Sequence, residues 1–248
     1  MESYPNPKSA NFYINLLRQI PGLIVVMDKD SRFIYSNDYT AKLFGYAHEE
    51  EIIGLDAYGM RCQASESAPQ MIQQDQLVYR TGQELTMLDI HKYAYGDTKI
   101  LLTKKTPYRE QGEIVGTICL CTELHSQALR EFCASLIHSE RKYNAMAISA
   151  ERSYSIGSTT HKKQLTERES DCIFYLLRGN TIKQIGRCLD ISPRTVETYL
   201  EKIKNKLGCS HKSEIIEYCL NEGLLNYIPR NIFQQNISNV LYVSDGCS

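Results

Sequence analysis

The stretch Thr181–Leu207, TIKQIGRCLDISPRTVETYLEKIKNKL, decides how this chain is read. Ile182, Ile185 and Leu189 recur at helical spacing and predict a short helix with one buried face. Ser192-Pro193 restarts the chain. Serine caps a helix N-terminus, and proline fits the first helical position, where no N–H is needed. Val196, Leu200, Ile203 and Leu207 then follow at intervals of 4, 3 and 4, an apolar stripe along one side of a longer helix. Arg194, Glu197, Thr198, Glu201, Lys202 and Asn205 fall on the opposite face, and Gly208 stands where a helix C-terminus prefers it. A short helix, a tight turn and a longer helix with a polar outer face predict a helix-turn-helix, whose second helix enters the major groove of DNA.

The flanks extend this to four helices. Thr166-x-x-Glu169 has capping-box spacing, so a helix is expected to start at Thr166, bury Ile173, Leu176 and Leu177, and end at Gly179. Ile215, Ile216, Cys219 and Leu220 outline a fourth helix ending at Gly223. The run LTERE…LLRGNTIKQIGRCLDISPRTVETYLEKIKNKLG…EGLL resembles the all-α, four-helix DNA-binding domain of LuxR/NarL-type bacterial regulators. The resemblance spans 162–224 and implies sequence-specific DNA binding and transcriptional regulation.

Upstream, the apolar run Leu23–Met27, the turn Asp28–Ser31 and the run Arg32–Ser36 predict a hairpin. An amphipathic helix, Phe12–Ile20, precedes it. Short helices are expected at Asn37–Tyr46 and Glu49–Gly54, then an irregular stretch, then a helix at Pro69–Arg80. Leu85–Tyr93, Lys99–Arg109 and Glu113–Cys121 read as strands separated by turns at Gly96-Asp97 and Gln111-Gly112. Two strands, small helices and three strands, with the pieces LIVVMDKDSRFIYSN, AKLFGY and EIIG, resemble a PAS domain over residues 12–124. That resemblance implies an α+β sensor with a five-stranded antiparallel sheet, which binds a small ligand or serves as a dimerisation module.

Charge sharpens the division. The formal net charge is −1 over 248 residues. Residues 1–124 carry 12 Lys/Arg against 16 Asp/Glu, whereas residues 162–222 carry 11 against 9. A module of only +2 predicts dimerisation before phosphate attraction becomes useful. Nine cysteines without a CxxC or a signal peptide predict reduced thiols in the cytoplasm. No run approaches the roughly 20 apolar residues of a membrane span.

Residues 125–152 are a predicted helical linker. Leu129, Cys133, Leu136, Glu140, Tyr143 and Ala147 follow 4-3-4-3-4 spacing, as in a coiled-coil seam interrupted by Glu140. A single amphipathic helix folded onto its own sensor sheet fits the same pattern. Ser153–Thr160 reads as a Ser/Thr/Gly linker, and residues 225–248 form a C-terminal extension with apolar residues but no clear period.

In the recognition segment, phosphate contacts are expected from Lys183, Ser192, Arg194, Thr195, Lys202 and Lys206, and the resemblance implies base contacts at the family's reading positions, which fall on Glu197, Thr198 and Glu201. Members of the family often carry Lys at the first reading position. Glu197 accepts from cytosine N4 where Lys donates to guanine, which implies a different target. The plainer role for Glu197 and Glu201 is bridging to Lys202, Arg194 or Lys204. The expected partner is double-stranded DNA, an inverted repeat bound by a homodimer.

For the sensor, Cys62, Asp89 and His91 are the candidate ligand-pocket residues. Cys62 in Gly59-Met60-Arg61-Cys62-Gln63 invites comparison with flavin-binding light sensors, but Arg61, Gln63 and Ala64 depart from their Asn, Arg and Phe. His91 raises haem ligation, and Met87, Asp89 and His91 share one strand face, for which a solvated face or a satisfied histidine is the commoner case. The three lack metal-ligand spacing, so no metal and no cofactor is expected. A haem- or flavin-binding sensor is the alternative reading. No phosphate loop, triad elbow or metal motif appears, and no enzyme activity is expected.

Overall fold

The computed structural model describes residues 10–96, 98–125, 130–136, 152–157 and 165–241. The chain divides into two compact units, the first holding the described residues up to 124 and the second residues 130–136 together with those from 153 onward.

The first unit is built on a five-stranded antiparallel sheet in the order β2-β1-β5-β4-β3. Its strands are β1 (Leu23–Asp28), β2 (Phe33–Ser36), β3 (Leu85–Lys92), β4 (Thr98–Glu110) and β5 (Glu113–Glu123). The helices are α1 (Ala10–Gln19), α2 (Asp38–Leu43) and α3 (Ala68–Thr81). This is the strand count and antiparallel sense expected of a PAS domain. The β1–β2 turn is closed by Asp28, whose Oδ1 accepts from the N–H groups of Asp30 and Arg32, both at 2.9 Å, while Ser31 takes φ +62°. Asn37 caps α2 by accepting from Thr40 N at 3.1 Å, and its amide donates to Gly22 O at 2.9 Å. Between α2 and α3 the irregular stretch holds single 3₁₀ turns, among them Ala57–Gly59 and Gln63–Ser67. These elements cover one face of the sheet. The core beneath them gathers Leu23, Val25, Met27, Phe33, Phe44, Leu101, Cys119 and Cys121.

The second unit holds α4 (Glu167–Leu177), α5 (Ile182–Leu189), α6 (Pro193–Leu207) and α7 (Lys212–Asn221). Their apolar stripes meet in one core: Ile173, Leu176, Leu177, Ile185, Leu189, Val196, Leu200, Ile203, Leu207, Ile215 and Cys219. The Thr166–Glu169 capping box forms, and a second, Thr181 with Gln184, starts α5.

Two stretches differ from their sequence reading. Ser153–Thr160, read as a linker, contains most of a strand, β6 (Arg152–Gly157), which pairs in parallel with β7 (Tyr227–Pro229) in the extension. Alternating β-capable residues, Tyr154 and Ile156, outweigh the small-residue composition there. The extension continues as α8 (Arg230–Leu241), where Ile232 and Phe233 are buried. Residues 130–136 of the linker are helical. Cys133 and Leu136 are buried, and Phe132 stacks on Phe174 with centroids 6.4 Å apart. The other seam positions, Leu129, Glu140, Tyr143 and Ala147, lie outside the described residues.

Candidate nucleic-acid interface and sensor cavity

The stripe Val196, Leu200, Ile203 and Leu207 is buried, so α6 has only one face to present. Ser192 caps it, its Oγ accepting from Thr195 N at 3.1 Å and lying 2.8 Å from Thr195 Oγ1. Arg194, Glu197, Thr198, Glu201 and Lys202 are exposed along that face, and Lys183 is exposed in the first turn of α5. The turn is fixed by Asp190, in the left-handed region, and by the Ile191 N–H donating to Gly186 O at 2.9 Å. A polar helix face behind a rigid turn, with backbone N–H groups and cations at its N-terminal end, can hold phosphate and present side chains to base edges.

The expected contact residues are not equivalent. Glu201 is paired with Lys204 at 2.6 Å, the plainer role foreseen for it. Thr198 Oγ1 donates to Arg194 O at 3.0 Å. Lys202 extends over the Tyr199 ring, with Nζ 5.8 Å from its centroid. Lys206 lies away from the reading end and holds the fold: its ammonium donates to Glu169 Oε2 at 2.7 Å. Glu197 has no ion-pair partner among the described residues.

Glu169 ties the first helix of the module to the recognition helix. It accepts from Lys206 and from Thr166 N at 2.7 Å and is almost wholly buried. Burial pushes its carboxyl upward, but the bonds from Lys206 and Thr166 together outweigh this and hold it below the usual carboxylate range. A carboxyl depressed in the folded state stabilises above its unfolded pKa, and that contribution disappears as pH falls through the folded value. The module is therefore expected to lose stability progressively below pH about 4.3. Thermal melts of the intact chain from pH 7 to 3 would show this, with Glu169→Gln flattening the profile.

The sensor cavity lies between sheet and helices and has a volume of about 50 Å³. Its apolar lining comes from β1, β2, the stretch between α2 and α3, Met71 of α3 and the two cysteines of β5. Its polar groups include Ser31, Gln74, Asp89, Thr103 and a buried ion pair. In that pair Lys105 Nζ donates to Asp75 Oδ1 at 2.6 Å and to Met71 O at 3.0 Å. Burial raises the Asp75 carboxyl, against the pull of Lys105.

Of the three residues expected in a pocket, Asp89 lines it. Cys62 packs against the surrounding core, and His91 is buried, with Nε2 3.9 Å from Asp89 Oδ1. Their strand face is buried rather than solvated. Asp75, Lys105, Cys119 and Cys121 were missed. One signal was available: Asp75 continues the Ala68, Met71/Ile72, Val78 spacing of α3, so a carboxylate sits on an apolar stripe. Among the described residues no three His, Cys, Asp or Glu side chains gather to hold a metal, and no helix is long and apolar enough to cross a membrane.

The fold and the two sites define a sensor domain joined to a helix-turn-helix output domain. Residues 17–128 match the PAS fold, and residues 163–219 match the luxR family of bacterial regulatory proteins. The quorum sensing-dependent transcriptional regulator VjbR of Brucella ovis is 27% identical over 138 residues, 56% of this chain and 51% of VjbR. The chain thus spans about half the length of the curated relatives it matches first. The regulator FixJ of Bradyrhizobium diazoefficiens is 36% identical over 62 residues, 25% of this chain and 30% of FixJ. Among solved structures, the Vibrio cholerae VqmA dimer without target DNA is 30% identical, covering 90% of this chain and 92% of that one, with a TM-score of 0.49. The V. cholerae VqmA–ligand–DNA complex is 32% identical over 92% and 93%, with a TM-score of 0.47. With identity of 30% or more across nine-tenths of both sequences, the chain belongs to the LuxR-type bacterial regulators, here with a PAS-fold sensor and a LuxR-type DNA-binding domain.

Proposed function

We propose that the chain is a one-component, sequence-specific transcriptional regulator acting in the cytoplasm, with residues 12–124 as input, 125–152 as linker, 162–224 as output and 225–248 as an extension. The observation that carries this is the single free face of α6, capped by Ser192 and displaying Arg194, Glu197 and Lys202 beside a fixed turn. One recognition helix per chain and a +2 module support a homodimer on an inverted repeat. VqmA has been solved as a dimer and with ligand and DNA, which supports the same assembly here. VqmA has also been solved bound to DPO. A small organic ligand with a donor and an acceptor matches the chemistry of the Lys105–Asp75 pair, and taking it up requires the cavity, about 50 Å³ as it stands, to widen. Selection of bound sequences from random DNA tests the reading. A site without a dyad, or affinity that does not fall on dilution through the monomer–dimer range, counts against the dimer.

Glu197 and Lys202 should separate base reading from backbone holding. Glu197→Ala is expected to relax preference at one base pair per half-site, with roughly 1–3 kcal/mol of discrimination lost. Lys202→Ala is expected to weaken all sequences alike and make the salt slope shallower by about one. Binding to single-base variants at two salt concentrations measures both. An unchanged base profile in Glu197→Ala would remove the carboxylate from base readout.

A further inference from the structure

Cys119 and Cys121 occupy alternate positions of β5, so both side chains reach the cavity face, and their sulfurs lie 3.7 Å apart. Both are buried, and Thr103 Oγ1 donates to Cys121 Sγ at 3.2 Å. A disulfide fits poorly here: two steps of strand separate the Cα atoms by about 6.6–6.8 Å, the far edge of the roughly 4.4–6.8 Å that disulfides span. A bridging ion fits better. With metal–sulfur bonds of ~2.3 Å, sulfurs 3.7 Å apart subtend about 107°, an angle that leaves room for a third donor.

The surroundings select the kind of ion. Since no three His, Cys, Asp or Glu side chains gather among the described residues, a zinc site with its four nitrogen, oxygen or thiolate ligands has no basis here. What the cavity does add is thioether sulfur from Met27, Met60 and Met71. On β1, Val25 is opposite Cys119 and Met27 opposite Thr117, so Met27 stands diagonal to Cys119, within reach of a long side chain. Lys105 lies directly opposite Cys119 on β4.

We propose that Cys119 and Cys121, completed by Met27, form a binding site for a soft, thiophilic monovalent ion, Cu(I). Thiolate and thioether are the donors that select Cu(I). Binding converts Cu⁺ and two thiols into a dithiolate complex of charge −1 and releases two protons to solvent. Lys105, directly opposite Cys119 and already paired with Asp75, is a cation of the same cavity. The oxidation state of copper and sulfur does not change. This site does not depend on the cavity holding an organic ligand.

The test uses the full chain, reduced under anaerobic conditions and titrated with Cu(I) against a chromophoric bidentate competitor. One equivalent should be taken up, with an ultraviolet thiolate-to-copper band and an X-ray absorption shell of sulfur alone. Cys119→Ser and Cys121→Ser should each weaken uptake roughly 100-fold or more, and Met27→Leu roughly tenfold. Cys188→Ser and Cys209→Ser should leave it unchanged. Uptake that survives both cavity serine variants, follows Cys188 or Cys209, or shows a nitrogen or oxygen shell overturns the proposal. Met27→Leu nearly conserves volume and keeps the fold. If it binds Cu(I) as tightly as the parent, with the same shell, the three-sulfur site is wrong even should the serine variants fail to fold.

Discussion

Lys105→Ala is expected to destabilise the sensor domain by about 3–5 kcal/mol, the cost of stranding one charge of a buried pair. Lys105 and Asp75 side chains are each 5% exposed, and the 2.6 Å contact between them is the main electrostatic partner of either. Removing the ammonium leaves the carboxylate in an apolar cavity with only a helix and a sheet around it. It then protonates or draws in water, and either outcome loosens α3 from β4. The double variant Asp75→Leu/Lys105→Met should recover most of the loss, because replacing both charges with apolar groups of similar volume removes the desolvation cost along with the attraction. Denaturant unfolding of the full chain, followed by a probe in the sensor, measures the three variants. A single-variant loss below about 1 kcal/mol would place the pair in the class of solvent-screened surface bridges. The same substitutions should abolish binding of any ligand recognised through this pair, and the double variant separates the effects by restoring the fold without the charges.

How much of this was visible in the sequence follows the range of the forces. The helix-turn-helix was legible because its determinants are local: the 4-3-4 stripe of Val196, Leu200, Ile203 and Leu207, the Ser192 cap, and the Thr166–Glu169 box each act within one or two turns. The five strands of the sensor were legible from alternation and turn residues for the same reason. The pairing of Lys105 with Asp75 was not, because 30 residues separate them and a lysine in an alternating strand ordinarily points to water, even though Asp75 alone stands out on the apolar stripe of α3. Only the register, which sets Lys105 opposite Cys119, turns that position inward. The β6–β7 pair failed for the same cause: its strands are about 70 residues apart, and its Ser/Gly composition reads locally as a linker. Lys206 shows the limit in the other direction. Its position on the recognition helix suggested phosphate, and the fold gives its ammonium to Glu169 instead.

Gly186→Ala is expected to cost DNA affinity more than it costs stability. Gly186 lies inside α5 with φ in the ordinary helical range, so no left-handed conformation demands glycine there. The demand comes from the turn. A Cβ on Gly186 would stand 2.7 Å from Ile191 O and 3.5 Å from Pro193 N. The nearest atom is backbone, held by the Ile191 N–H bond to Gly186 O at 2.9 Å, so no side chain can swing aside. The chain must move by several tenths of an ångström where α6 begins, which carries Ser192, Arg194 and the reading face with it. Overpacking of this kind costs about 1–3 kcal/mol, and here belongs at the upper end because backbone meets backbone. Since helix propensity favours alanine over glycine by roughly 0.8–1.0 kcal/mol, part of that loss is offset. The folded population should therefore survive at 25 °C while the recognition helix is displaced. The expected result is a folded protein, by circular dichroism, with at least a tenfold loss of specific binding, equivalent to about 1.4 kcal/mol. Gly208→Ala is the control. Its Cβ meets nothing within 4 Å, and its φ of +73° strains the helix end without touching the turn. It should lower stability and leave the affinity of the folded fraction intact. If Gly186→Ala binds its site as tightly as the parent, the turn is soft, and the geometry of α6 is not set by this close approach.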